Sequence, residues 1–274
     1  MQYLILFILF SILFFFIKRW LLFGIALLMM FWHLFLILPF YLKPKLNPKT
    51  DKIKKASLKI LYTNFLAYNR QYPKLLKYIR RKNPDLIGIV ETTTRLVQFM
   101  KANLKDYPYR TSKARNDFFG ISLWSKIPFA QSKVVYWGNT FSPIITTRFT
   151  KNNKDFYLIL AHPTAPKNVR LWKLRNNQLS IIAQRINQFS GSKIIIGDFN
   201  ITPFSYFYHK FISLSKLYES RKGFGIHNSW PVNNILLRIP IDHCFLSSDI
   251  KVIKREVGPN IGSDHYPFYL ELGF

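Results

Sequence analysis

The chain has 13 acidic residues in 274 positions, and four of them stand where short apolar runs begin or end. Glu91 follows 86–90, Asp198 follows 193–196 and a glycine, Asp242 opens 241–246, and Asp264 lies in the loop before 267–272. Asn64, Asn200, His162 and His265 accompany them at similar places. Carboxylates drawn into one cleft repel each other unless a cation lies between them. Hard oxygen donors from Glu, Asp and Asn point to Mg2+, or the similar Mn2+, rather than zinc. Taken singly, each residue also has a plainer reading. Gly197-Asp198-Phe199-Asn200 reads as a turn, because Asp and Asn bond their own backbone. His162 before Pro163 reads as a capped loop residue and Asp264-His265 as a surface pair. Glu91 reads as the N-terminal acid of a helix over 92–104.

The elements that would position these residues alternate in period. Strands are predicted at 58–62, 86–90, 119–124, 133–137, 144–149, 156–161, 193–196, 241–246, 250–257 and 267–272, and helices at 73–82, 92–104 and 169–189. Pro73 suits the first turn of its helix, and Asn83-Pro84-Asp85 ends it. Strands interleaved with helices predict an α/β sandwich, sheets inside and helices outside, whose strand ends gather ligands on one edge. No glycine-rich phosphate loop is present, which disfavours nucleotide-cofactor chemistry.

The composition divides the chain in two. A net charge of +27 coexists with a mean hydropathy of +0.03 and 26 Phe, so the apolar residues must be concentrated somewhere. They are concentrated at the N-terminus, where 3–17 and 20–42 carry no Asp, Glu, Lys or Arg, apart from each other only by Lys18 and Arg19. At ~1.5 Å per residue the second run spans a bilayer core of roughly 30 Å and the first falls short. Residues 1–42 are therefore read as a retained transmembrane helical hairpin turning at Lys18-Arg19. There is no basic stretch before it and no small-residue cleavage site after it. Residues 43–56, with Pro44, Pro48 and six lysines, read as a basic juxtamembrane linker. Residues 57–274 form the catalytic-sized body, with 32 basic and 12 acidic residues, a surface that attracts polyanions. The aromatic content of 17% excludes disorder, and the single Cys244 excludes an internal disulfide framework or a cysteine-rich zinc site.

In order, strand-Asn64, strand-Glu91, strand-His162-Pro163, Gly197-Asp198-Phe199-Asn200, Ile241-Asp242-His243 and Gly262-Ser263-Asp264-His265 closely resemble the endonuclease/exonuclease/phosphatase superfamily. The resemblance runs from about Leu58 to the C-terminus. It implies a four-layer α/β sandwich of two mixed sheets flanked by helices, and a metal-dependent hydrolase of phosphoric esters or pyrophosphates. It further implies Glu91 as principal Mg2+ ligand, with Asn64 and Asp264 on the metal side. Asp198 is implied to orient or deprotonate the attacking water and Asn200 to donate to the phosphoryl oxygens. His265, held by Asp242, is implied to stabilise the transition state, with His162 as general acid or phosphate ligand. The carboxylate that supports the histidine equivalent to His162 in the family's nucleases has no evident counterpart here.

Ala161-His162-Pro163-Thr164-Ala165-Pro166, Asn228-Ser229-Trp230-Pro231 and the apolar head resemble a bacterial membrane-anchored branch, the vancomycin/teicoplanin-resistance type of membrane phosphatase. That likeness implies a lipid pyrophosphate or phospholipid substrate at the cell membrane and a body outside the cytoplasm; no obligate protein partner is evident in the sequence. Charge counting alone places the body inside, because six lysines follow the second apolar run. Trp230, Phe204, Tyr206 and Phe207 are candidates for an apolar wall. The alternatives are a nuclease using the basic body on DNA or RNA, and a non-catalytic phosphate-binding module.

Overall fold

The computed structural model describes residues 2–45, 53, 55 and 57–274, so most of the basic linker read over 43–56 lies outside the described residues. The two apolar runs form α1 (Gln2–Phe16) and α2 (Trp20–Ile37), followed by a 3-10 turn, Leu38–Phe40. They lie side by side, Tyr3 and Phe7 against His33 at one end and Phe15 against Trp20 and Phe23 at the other. Lys18, in the left-handed region at φ 56°, makes the reversal. Trp20–Phe40, 21 residues, is long and apolar enough to cross a bilayer; α1, at 15 residues, is shorter.

The body begins with β1 (Leu58–Asn64), α3 (Tyr72–Lys82), β2 (Leu86–Val90), α4 (Thr94–Asn103), β3 (Tyr109–Lys113), β4 (Ile121–Ser125) and β5 (Phe129–Val135). It continues with β6 (Ile144–Lys151), β7 (Lys154–Ala161), α5 (Val169–Arg185), β8 (Ser192–Asp198), α6 (Tyr206–Ser215), β9 (Tyr218–Glu219), β10 (Asp242–Leu246), β11 (Lys251–Val257) and β12 (Phe268–Gly273). Six strands order β11-β12-β1-β2-β4-β3 in one sheet, and six order β5-β6-β7-β8-β10-β9 in the other. Among the described residues only β1/β2 and β7/β8 pair in parallel, each joined through a helix as a crossover requires.

Three apolar layers hold the four structural layers together. Leu58, Ile60, Leu86, Leu158, Leu160, Ile194 and Leu270 fill the space between the sheets. Leu75, Ile79, Leu96 and Met100 seal α3 and α4 onto the first sheet, and Leu179, Ile182 and Phe211 seal α5 and α6 onto the second. The parallel strands β1, β2, β7 and β8 are central, which is why they read as nearly unbroken apolar runs. The predicted α/β sandwich is therefore the fold.

The elements that sequence periodicity does not reveal lie mostly at the margins. β3 is polar and mostly exposed at a sheet edge, and β5, also an edge strand, begins at Phe129 rather than 133. α6 has a strand-like aromatic composition, yet Ser205 caps it by accepting the Phe207 N–H at 3.3 Å. Gly88 of β2 faces β7, where an added Cβ would stand 3.1 Å from Leu160 Cδ1 and 3.6 Å from Tyr62 Cδ2. Overpacking of this kind costs about 1–3 kcal/mol. Gly88→Val is expected to lower the urea midpoint accordingly, followed by the fluorescence of buried Trp124; an unchanged midpoint would contradict tight packing of the sheets here.

Candidate active site

Strand register alone brings most of the predicted residues to one edge. Asn64 ends β1 opposite Val90, so Glu91 emerges beside it. Ala161 lies opposite Gly197 in the parallel pair β7/β8, so His162 and Asp198 leave together. Antiparallel β10 sets Asp242 directly across from Asp198. Position 197 admits only glycine, because a Cβ there would meet the Ala161 carbonyl oxygen at 1.9 Å. Glu91 and Asn200 both adopt left-handed backbone, at φ 57° and 50°. That conformation is costly for a glutamate and occurs where a site over-determines it.

The side chains interlock. Asn64 Nδ2 donates to Glu91 Oε1 at 3.0 Å and to Asp198 Oδ2 at 3.2 Å, bridging the two carboxylates. The Ala67 N–H donates to Glu91 Oε2 at 3.0 Å, and the Asn200 N–H to Asp198 Oδ1 at 2.9 Å. His265 Nδ1 lies 2.7 Å from Asp242 Oδ2, while its Nε2 faces Asp198 Oδ2 at 3.7 Å. His162 Nε2 approaches the same Asp198 oxygen at 3.5 Å, and its Nδ1 is buried without a hydrogen bond among the described residues. Asn200 Nδ2 donates to the Pro163 carbonyl at 3.0 Å.

Burial sets the ionisation of this group. It raises Glu91 above the usual carboxylate range. Together with the negative charge of Asp242, it pushes Asp198 up to about 7. Asp242 is held low, because the His265 charge and hydrogen bond outweigh its burial. Burial alone would lower His265, but Asp242 overcomes it and pushes the imidazole up to about 10. His162, with burial as the main influence, is lowered.

A divalent cation fits this arrangement. Elsewhere Asp85, Asp117, Glu219, Asp249 and Glu256 each have a lysine or arginine partner. The charges facing Glu91, Asp198 and Asp242 are instead the imidazoles of His162 and His265. Three buried carboxylates that share one imidazolium, His265, and have no lysine or arginine partner among the described residues leave this edge with an excess of negative charge. Asp198, Asp242 and His265 have ligand atoms within 4.8 Å of one another, but the Asp242–His265 hydrogen bond already uses two of those atoms. Both Glu91 oxygens accept one bond each and keep acceptor capacity.

All eight predicted residues meet at this edge, with refinements. Asn64 stands as a donor bridging two carboxylates, and its Oδ1 accepts the Leu66 N–H at 3.1 Å. Asp264 borders the cleft and accepts from Trp230 Nε1 at 3.0 Å. His243, next to Asp242, points to the opposite face of β10, where Glu219 lies 2.7 Å from its Nδ1. The predicted aromatic wall is corrected. Trp230 lines the cleft, joined by Phe118, Phe119 and Phe141, whereas Phe204 packs on Phe40 of the 3-10 turn after α2, Phe207 packs on Trp172, and Tyr206 is exposed away from the cleft. Arg175 of α5, which no motif marks, donates to the Asn200 carbonyl and is lowered to about 10 by burial. The cleft encloses about 670 Å³.

Two mixed sheets between helices, with a carboxylate and imidazole cluster on their common edge, define a hydrolase-like α/β sandwich. The sequence profile of the Endonuclease/Exonuclease/phosphatase family matches residues 60–265, and the chain belongs to that family. Its structure is similar to D. rerio TDP2 complexed with single strand DNA product, at TM-score 0.70 and 17% identity over 80% of this chain and 100% of that one. It is similar to a Bacteroides thetaiotaomicron mannosyl-6-phosphatase, at TM-score 0.66 and 17% identity over 80% and 100%. A functionally unknown conserved protein from Enterococcus faecalis V583 gives 0.64 and 14% over 79% and 99%. No curated protein matches the chain by sequence.

The His265–Asp242 pair can be read directly. In chelator-containing buffer, the His265 imidazole is expected to stay protonated through neutral pH and titrate near 10. In Asp242→Asn the burial is no longer offset and titration falls toward 6.5 or below. NMR of the imidazole carbons reads this, and an unmoved titration would remove Asp242 as the cause.

Proposed function

We propose that the chain is a membrane-anchored, divalent-metal-dependent phosphoesterase that hydrolyses a phosphate ester or pyrophosphate of a lipid-linked substrate. The observation that carries this reading is the division of the cleft. Its floor holds Glu91, His162, Asp198, Asn200 and His265, and its wall is Leu66, Phe118, Phe119, Phe141 and Trp230. Ile239, which also lines the cleft, borders the hollow between the body and the hairpin. A charged floor with an apolar wall suits an amphiphile, and tethering concentrates the enzyme where such a substrate resides.

Phosphoester hydrolysis requires an activated water, neutralised phosphoryl oxygens and a proton for the leaving oxygen. Asp198, near 7, orients the water and takes its proton. Asn200 has a second amide N–H beyond its bond to Pro163 and offers it to a phosphoryl oxygen. His265, an imidazolium held by Asp242, donates a charged hydrogen bond to the same group. His162, which burial biases toward the neutral imidazole, is a hydrogen-bond ligand for the phosphoryl group, and the leaving oxygen takes its proton from solvent. Glu91, with Asn64 and Asp264, would hold Mg2+ or Mn2+. When bound, such an ion neutralises phosphoryl charge and acidifies bound water. The rival reading, a nuclease, is favoured by the basic surplus of the body, 32 against 12.

Detergent-solubilised protein assayed with Mg2+ or EDTA against a polyprenyl pyrophosphate, plasmid DNA and an inositol phosphate separates these readings. Mg2+-dependent turnover of the pyrophosphate is expected; cleavage of DNA with steep salt dependence would replace the lipid reading by the nuclease. Alanine at Glu91, Asp198, Asn200 or His265 should each lower the rate at least ~100-fold. Unchanged rates in two of them would refute the assignment. The body is proposed to lie outside the cytoplasm, and a compartment reporter fused after Phe274 should be active outside and silent inside.

A further inference from the structure

The loop from Trp230 to Ile239 has a base in the cleft and an exposed apolar tip. Trp230 and Ile239 pair as an isolated β-bridge, and both line the cleft. The tip places Ile235, Leu236 and Leu237 consecutively at the surface, 74, 74 and 65% exposed. We infer that this loop is a wedge that enters the lipid interface beside the hairpin and holds the cleft mouth at the bilayer surface. The inference rests on the reading of α1 and α2 as a membrane anchor.

Four observations converge on a lipid surface as the occupant. First, the loop is joined to the hairpin end that would meet the interface. Gln2 Nε2 donates to the Arg238 carbonyl at 3.0 Å, and Gln2, Tyr3, His33, Arg238 and Ile239 border a common hollow of about 280 Å³. Second, that end of the hairpin carries exposed Tyr3, Trp32 and Tyr41, the aromatic types that settle at headgroup depth. Third, the tip is prepared for a medium poor in hydrogen bonds. Asn234 Oδ1 accepts the N–H groups of both Leu236 and Leu237 at 3.1 Å, so the leading amides carry their own acceptor. Fourth, the segment 230–239 contains no acid and one base. Arg238 is clamped at the foot of the tip by the carbonyls of Pro231 and Val232, over the Tyr266 ring at 4.9 Å. A cation one residue behind three aliphatic side chains matches an anionic headgroup layer above acyl chains.

The consequence for the proposed reaction is geometric. A wedge whose base forms the apolar wall of the cleft brings the site to the plane where a lipid phosphate already lies. The lipid then needs little withdrawal from the bilayer.

The full chain in nanodiscs of phosphatidylethanolamine and phosphatidylglycerol tests this with an environment-sensitive fluorophore on Leu236→Cys. The native Cys244 is buried, leaving the new thiol as the accessible one. Emission shifted to the blue and quenched by nitroxide-bearing lipids is expected, as for Leu28→Cys in the hairpin. The control, Lys113→Cys on the edge strand β3, is expected to emit as in water. A water-like probe at 236 overturns the wedge, and the probe at 28 tells whether the anchor fails with it. A blue shift without lipid quenching assigns the tip to a protein contact and also overturns the wedge. The paired variant Leu236→Asp, Leu237→Asp should lower turnover of a vesicle-borne pyrophosphate at least about 10-fold, since burial of two leucines is lost, and leave a soluble nitrophenyl phosphodiester unchanged. Equal loss on both substrates would contradict a role at the membrane surface.

Discussion

Three carboxylates, Glu91, Asp198 and Asp242, are buried at one edge of two packed sheets without a lysine or arginine partner among the described residues. Nearly everything else at the site follows from their mutual repulsion. Asp242 and Asp198 face each other in register, so one of them must be neutralised or supplied with a counter-charge. His265 serves Asp242 at 2.7 Å and becomes a held imidazolium. Asp198 keeps a proton affinity near neutrality, which suits it to accept a proton from water. Asn64 ties Glu91 to Asp198 and sets the separation of the two.

The sheets make that arrangement durable. Parallel strands β1, β2, β7 and β8 are packed on both faces, so their ends cannot move apart without exposing the central core. Behind the site, Glu219, Arg221, His243 and Arg255 are buried together and complete the support of β10. The contrast between the two clusters is instructive. Glu219, with Arg221 and His243 against it, is held below the usual carboxylate range despite burial, whereas Glu91, lacking such a partner, is raised.

The hairpin is built into the same molecule rather than appended to it. The Gly223 and Gly225 N–H groups both donate to the Phe40 carbonyl at 2.9 Å, and Ile37, Phe40 and Ile226 form a small apolar cluster. The segment they dock on leads through Asn228, Ser229 and Trp230 into the site, where Ser229 Oγ accepts the Asp242 N–H at 3.3 Å. The apolar hairpin and the carboxylate edge are therefore linked by a short, hydrogen-bonded path.

Asn64, Glu91, His162, Asp198 and Asp242 were legible in the sequence because each sits at the end of a buried strand, where an apolar run meets a polar residue, whereas Asn200, Asp264 and His265 were read from the short motifs in the loops that follow or precede strands. The division into apolar head and basic body was legible for a similar reason, since uncharged runs of that length are rare outside membranes. Edge strands β3 and β9 and helix α6 were not, because exposure or short length removes the pattern that periodicity detects. Tertiary structure alone decided what faces what. It put Trp230 on the cleft and Phe204 on the hairpin, turned His243 away from Asp242, set Asp198 within 3.5 Å of His162, and brought Arg175 to Asn200. Residue order determines which groups end strands, since burial and period are local properties. Distances between groups on different strands depend on sheet register and layer packing, which are properties of the assembled chain.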